Sequence, residues 1–211
     1  MSSSGIASDR IGSERSSFRT RERHSGHPRH RALPGERDGY VGHVEIREAR
    51  RSDAGDVAAV HVRSWQQGYR GLLPDDYLAA LRPEERARRY SFEDADPARP
   101  ATLVAVDGGA IVGFATTGTC RDREAGPAGE VMALYVDPPS WGAGVGRALV
   151  AAARARLADQ GFARAVLWVL EGNERAERFY RIDGWSHDGT RRRDEVWGAA
   201  VDELRYARAL G

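Results

Sequence analysis

Lysine is absent: all 32 basic side chains of this 211-residue chain are arginine. The absence removes whole reaction classes. A Walker-type phosphate loop needs its lysine on the transferring phosphate. Pyridoxal enzymes and Schiff-base aldolases need a lysine amine, and Ser–Lys hydrolases need a lysine base. An Ala-, Arg- and Gly-rich chain without lysine also matches GC-rich coding, so the absence excludes chemistry without naming one. Cysteine is nearly absent too. Cys120 alone allows no intrachain disulfide and no multi-cysteine zinc site, which reads as a reducing, cytoplasmic setting. No run approaches the ~20 apolar residues of a membrane helix. The start lacks the apolar stretch of a secretory signal, so no membrane partner is expected. A net charge of +1 predicts no nucleic-acid partner.

Residues 1–40 differ from the rest. They carry eight serines, eight arginines, three histidines and five acids, with few large apolar residues. Such a segment buries too little surface to offset its ordering entropy, so a disordered Arg/Ser-rich extension is expected. Asp9, Glu14 and Glu22 argue against an organelle transit peptide. His24, His27 and His30 stand three apart, a spacing able to chelate, but a floppy tail holds no fixed geometry, and no metal site is expected. The remaining residues, 41–211, hold 24 arginines against 26 acids and form the single folded domain.

From Val44 the pattern alternates between periods of two and 3.6. His43–Arg50 reads as a first strand. Ser52 or Asp53 is a plausible N-cap for a helix running to about Tyr69. Pro74–Leu81 and Pro83–Tyr90 read as short helices with proline in the first turn. Thr102–Val106 and Ala110–Thr117 flank Asp107-Gly108-Gly109 as a hairpin. Glu130–Val136 is a strand, Gly144–Asp159 a helix, Arg164–Leu170 a buried strand and Glu174–Ile182 a short helix. Strands near Trp185–Gly189 and Val201–Ala207 finish the domain. The class is α/β: a mixed sheet with helices on both faces.

The chemistry concentrates where the Leu134-Tyr135-Val136 strand end meets Trp141-Gly142-Ala143-Gly144-Val145-Gly146-Arg147. Glycines let the backbone turn tightly and expose successive N–H groups. The following helix adds unpaired N–H groups and a positive dipole end. Together they suit a pyrophosphate or similar anion. A dinucleotide fingerprint does not fit: its third small position falls on Arg147 or Leu149. The acid expected about 20 residues on is also missing. A purely structural turn is the remaining alternative.

This turn resembles the Q/R-x-x-G-x-G/A signature of the GCN5-related N-acetyltransferase (GNAT) family, with Gly144 and Gly146 at the small positions and Trp141 in place of Gln or Arg. Asn173-Glu-Arg-Ala176-Glu-Arg-Phe179-Tyr180-Arg-Ile-Asp-Gly184-Trp185 resembles the family's second signature, N-x-x-A-x-x-F-Y-x-x-x-G-F. The two occur in the family's order, and the resemblance covers residues 44–208. It implies the GNAT-type acyl-coenzyme A N-acyltransferase fold, with a mostly antiparallel sheet. It also implies transfer of acetyl from acetyl-coenzyme A to a primary amine, of a small molecule or a peptide N-terminus, by direct attack. A non-catalytic acyl-coenzyme A sensor is the alternative. Dimers are common among proteins resembling this one, so a homodimer is a further expectation.

Site roles follow from the resemblance. Leu134, Tyr135 and Val136 would pair with the pantetheine arm of the coenzyme, and a backbone N–H near Leu134 or Tyr135 would polarise the acetyl carbonyl. Gly142 to Arg147 would hold the pyrophosphate; Arg147 is equally a solvated helix residue. Asn173 would cap its helix and contact the coenzyme. Tyr180 matches the family's general acid, its phenol pKa near 10 suiting a leaving thiolate; packing against the core is the alternative. By strict alternation Glu130 shares a face with Met132 and Leu134. It is a candidate base, against the alternative of a solvated strand start. Trp65 and Tyr69, four apart on one helix face, would border the acceptor pocket or pack in the core. His61 and Cys120 are weaker candidates for base and acyl carrier.

Overall fold

The computed structural model describes residues 44–92, 100–196 and 199–211. The expected disordered extension and its three histidines lie outside the described residues. Strand β1 is Glu45–Glu48, and helices α1 (Ala54–Gly68), α2 (Asp75–Ala80) and α3 (Pro83–Ala87) follow. Next come β2 (Ala101–Asp107), β3 (Ala110–Thr119), β4 (Gly129–Val136), α4 (Val145–Asp159) and β5 (Arg164–Leu170). Helix α5 (Glu174–Ile182) precedes β6 (Ser186–Val196) and β7 (Ala199–Ala209). The last two strands are longer than their apolar content suggests, because polar residues on one face of a hairpin do not interrupt its ladder.

Local chemistry explains the element ends. Gly71, at φ 75°, turns the chain after α1. Pro83 sits in the first turn of α3, where its missing N–H is not needed. Asp53 does not cap α1 through its side chain. Its carboxylate instead accepts from the Arg50 backbone N–H at 2.7 Å and pairs with Arg47 at 2.6 Å, and this Arg47 partnership holds the carboxyl below its ordinary pKa.

The seven strands are ordered β1-β2-β3-β4-β5-β7-β6. Every neighbouring pair is antiparallel except β4 with β5. The sheet separates two layers of helix. On one face Val57 and Val60 of α1 pack with Val104, Phe114 and Ala133. On the other, Val145, Leu149 and Leu157 of α4 pack with Ala115, Val131 and Leu167. Phe114 and Ala115 are sequence neighbours that pack on opposite helices, as the alternation of a strand requires. Leu149 and Leu157 are fully buried, each contributing roughly 1.5–3 kcal/mol of apolar transfer.

One irregularity matters for the site. Thr116 pairs with Ala133 but Thr117 pairs with Val131, leaving Met132 as an extra residue in β4. This bulge breaks the alternation expected for Glu130, Met132 and Leu134. Leu134 packs on the α4 side. Glu130 follows the other face, that of Ala133 and Tyr135, because its neighbour Val131 packs on the α4 side. The expected shared face of Glu130 and Leu134 is therefore corrected: the inserted residue rotates the strand between them.

Candidate active site

Strands β4 and β5 are paired only at Gly129–Ala165 and Glu130–Val166. Beyond Glu130 they diverge. β4 stays paired with β3 as far as Val136–Gly113, and β5 stays paired with β7 as far as Leu170–Glu203. Each thus presents an open backbone edge to a shared cleft. A cavity of about 490 Å³ fills it, lined by Val131–Val136, Trp168–Leu170, the glycine-rich turn and α5. The open edge of β4 offers amide groups that an extended chain of amides can pair with, as a further strand would.

The turn closes one end. Gly144 sits at φ 86°, the left-handed region, at the N-cap of α4. The first helical hydrogen bond runs from Ala148 N–H to Gly144 O at 3.1 Å, so the N–H groups of Val145, Gly146 and Arg147 precede it and point outward with the positive end of the dipole. A Cβ at Gly146 would lie 3.3 Å from Phe179 Cε2, so this small position lets α5 approach α4. Gly142, Gly144, Gly146 and Arg147 line the cavity. Ala143 is exposed outside that lining, and the Val145 side chain is buried in the core, which leaves Val145 its backbone N–H alone to offer.

Trp141 stands where the signature carries Gln or Arg. Its indole N–H donates to Val136 O at 2.7 Å, alongside the Ser64 hydroxyl at 2.8 Å. The Arg175 guanidinium lies 3.4 Å from the Trp141 ring centroid. Trp141 therefore braces the turn against the end of β4 and carries a cation on its face. Arg175, absent from the sequence expectations, lines the cavity beside Arg147; burial lowers its pKa from the ordinary arginine value. Its only sequence signal is its position two residues after Asn173.

Asn173 fulfils its capping role: its side-chain oxygen accepts from Ala176 N–H at 3.1 Å, and it also lines the cavity. Tyr180 is buried on the cavity wall. Burial pushes its phenol above the ordinary value, so it stays protonated at neutral pH. Tyr135 and Tyr69 complete this wall, their hydroxyls 3.5 Å apart. Burial raises both, and the charge of Glu203 adds to the effect.

Trp65 and Tyr69 separate. Tyr69 lines the cavity, whereas Trp65 is 1 % exposed and packs with Leu73, Leu78 and Leu170, edge-on to Tyr69 at 5.1 Å. His61 is buried against Trp65 and Tyr135. Burial, aided by the Arg89 charge, brings its pKa down to about 3, so it is neutral at physiological pH. Burial pushes the Cys120 thiol up to about 11, far from a ready nucleophile.

Glu130 and Glu203 occupy different depths. Glu130 is buried at the closed end of the cleft, outside the cavity lining. Burial raises its pKa, opposed by Arg121 and Arg192. Glu203 is 1 % exposed and lines the cavity, and one of its oxygens accepts from Arg192 Nε at 2.7 Å. No sequence expectation included it, because Asp202-Glu203 offers no local sign of which acid faces inward. Among the described residues no cluster of three or more His, Cys, Asp or Glu is placed to hold a metal, and no helix is long and apolar enough to cross a membrane.

Comparison with known proteins places this geometry. The Acetyltransferase (GNAT) family profile matches residues 65–185. The chain is 37 % identical over 133 residues to the uncharacterized N-acetyltransferase YuaI of Bacillus subtilis, covering 62 % of this chain and 73 % of that one. It is 37 % identical over 105 residues to a mycothiol acetyltransferase of Thermobispora bispora, covering 49 % of this chain and only 35 % of that longer protein. The fold resembles the PaiA N-acetyltransferase of Thermoplasma acidophilum, solved in complex with coenzyme A. The TM-score is 0.63 at 18 % identity, over 79 % of this chain and 98 % of that one.

Proposed function

This chain belongs to the Acetyltransferase (GNAT) family, and from that premise we propose that it transfers acetyl from acetyl-coenzyme A to the primary amine of a small molecule or a peptide N-terminus. Membership makes it an acyltransferase that binds acyl-coenzyme A; the acetyl donor and the acceptor are our reading. The observation that carries it is the divergence of β4 from β5 beyond Glu130, with the N-terminus of α4 at one end of the opening and Tyr180 on its wall.

In this reading the pyrophosphate lies on the N–H groups ahead of α4, where developing and fixed negative charge is stabilised without a lysine. The pantetheine amides pair with the open edge of β4. A backbone N–H near Leu134 or Tyr135 polarises the thioester carbonyl, and Tyr180 delivers its proton to the departing sulfur. Arg147, Arg175 and Asn173 add side-chain contacts along the coenzyme. Tyr69 borders the acceptor, and Trp65 supports it from behind.

The test is thiol release from acetyl-coenzyme A by the full chain with a panel of primary amines. Release that depends on the amine, with the acetylated amine identified by mass, is expected. Coenzyme binding without release for any amine would instead assign a sensor.

A further inference from the structure

The gap between β4 and β5 has two main-chain edges, and strand pairing determines which residues face it. Opposed residues of antiparallel strands alternate between pairs that exchange hydrogen bonds and pairs whose main-chain groups turn outward. On β4, Asp137 N–H donates to Val112 O at 2.8 Å, one step past the Val136–Gly113 pair. Leu134 and Val136 therefore turn their main-chain groups away from β3 and into the gap. On β5, Glu171 N–H donates to Asp202 O at 2.8 Å, one step past the Leu170–Glu203 pair. Trp168 and Leu170 therefore turn theirs away from β7 and into the same gap. Val166, of the same parity, is where β5 still meets β4.

The two edges are not equally taken up. In the acetyltransferase reading the pantetheine amides use β4. On β5, Leu170 O accepts from Asn173 N–H at 3.0 Å. The Trp168 N–H, the Trp168 C=O and the Leu170 N–H have no partner among the described residues. Both residues line the cavity, and Leu170 is buried. Main-chain groups sheltered from water are nearly always paired, so this edge calls for a ligand. Trp168 offers a donor and an acceptor from one residue, the two contacts that a single residue of an added strand makes.

The edge is held firmly. Leu167 and Val169 pack on the α4 side, while Leu170 packs on the opposite face with Trp65, Leu73 and Leu78. A rigid edge loses little freedom on binding. It also runs beside the place assigned to the thioester. Leu134 follows Glu130 on β4 as Trp168 and Leu170 follow Val166 on β5, beyond the last pair of the two strands.

We propose that the open edge of β5 binds the main chain of the acceptor, which is therefore a peptide N-terminus or an aminoacyl amide. This rests on the acetyltransferase reading above. The acceptor's amide N–H donates to Trp168 O, and its carbonyl accepts from the N–H of Trp168 or Leu170. The terminal amine is thereby held beside Leu134. A plain alkylamine has no amide to place on this edge. Main-chain pairing reads no side chain, so the selectivity is for the amide and not for the residue that bears it.

The experiment uses the full-length protein without substitutions. Thiol release from acetyl-coenzyme A is measured with tri-alanine amide and with two analogues in which an ester oxygen replaces one internal amide N–H. An alkylamine is run beside them, with rates expressed per neutral amine. At least one ester analogue is expected to lose about tenfold in kcat/KM, the worth of one hydrogen bond in a sheltered site, and the alkylamine to lose at least as much. Exchange of the Trp168 and Leu170 main-chain amides is followed by NMR with coenzyme A alone and with coenzyme A plus tri-alanine amide. Slower exchange at both on adding the peptide is expected. Ester analogues as fast as the parent would overturn the proposal. So would full protection of both amides by coenzyme A alone, which would give this edge to the pantetheine arm. Release with the alkylamine but not with the tripeptide would overturn the acceptor class and leave the acetyltransferase reading standing. No release with any amine would remove both.

Discussion

The indole N–H of Trp141 and the carbonyl oxygen of Val136 are hydrogen-bonded at 2.7 Å. The bond joins the glycine-rich turn to the end of β4, so the two segments proposed to hold the coenzyme are kept in register. Trp141→Phe removes the donor but keeps most of the ring beneath Arg175. Ser64 still satisfies the carbonyl, so the loss is about 1 kcal/mol, or roughly a fivefold rise in KM for acetyl-coenzyme A. Steady-state kinetics against the donor checks this; an unchanged KM would dissociate the bond from coenzyme binding.

Tyr180→Phe should leave coenzyme A affinity within about twofold and lower kcat by about 10²-fold, the usual worth of a positioned acid. The phenol is held protonated by burial, so the wild-type rate should not fall through its titration below pH 10. Calorimetric binding and pre-steady-state thiol release separate the two effects.

Gly146→Ala brings a Cβ to 3.3 Å from Phe179. The ring belongs to the helix that carries Tyr180, so α5 must shift. Overpacking of this size costs about 1–3 kcal/mol. A lower melting temperature together with a weaker coenzyme affinity is expected, whereas Gly161→Ala, at φ 87° with nothing near its Cβ, should lower stability alone.

His61 makes stability depend on pH. Its folded pKa is near 3 because burial disfavours the charged form, against about 6.5 in the unfolded chain. The unfolded state therefore binds a proton at pH values where the folded state does not. The stability contribution is intact above pH 6.5 and declines as pH falls toward 3, by ~1.4 kcal/mol per pH unit for one proton. Urea denaturation between pH 7.5 and 4.5 should show this slope, and His61→Phe should flatten it.

Much of the proposed coenzyme half of the site was legible because its determinants are local. Positive φ at Gly142 and Gly144, the helix start at Val145 and the Asn173 cap all arise within a few residues of chain. The turn and α5 accordingly lie where their residue patterns indicate. Trp141 was legible as a departure from the signature, but its donor role was not, since its acceptor is the end of β4.

The proposed acceptor half was not legible in the same way. The bulge at Met132 is set by how β4 pairs with β3, and it moved Glu130 off the face that alternation predicts. Trp65 and Tyr69 share a helix face, yet packing by Leu73, Leu78 and Leu170 buries one and leaves the other at the cavity.

What the sequence determined by itself is the absence of lysine chemistry, the glycine-rich turn ahead of α4 and the helix that carries Asn173 and Tyr180, all properties of composition or of short spacing. What only the tertiary structure decided is which of two distant carboxylates lines the cleft: Glu203 does and Glu130 does not. Glu130 and Glu203 lie 73 residues apart in the chain, and nothing near either one records how β4 and β5 part. That divergence is a property of the assembled sheet: strands that pair at one end and separate at the other place one acid at the apex and the other at the opening.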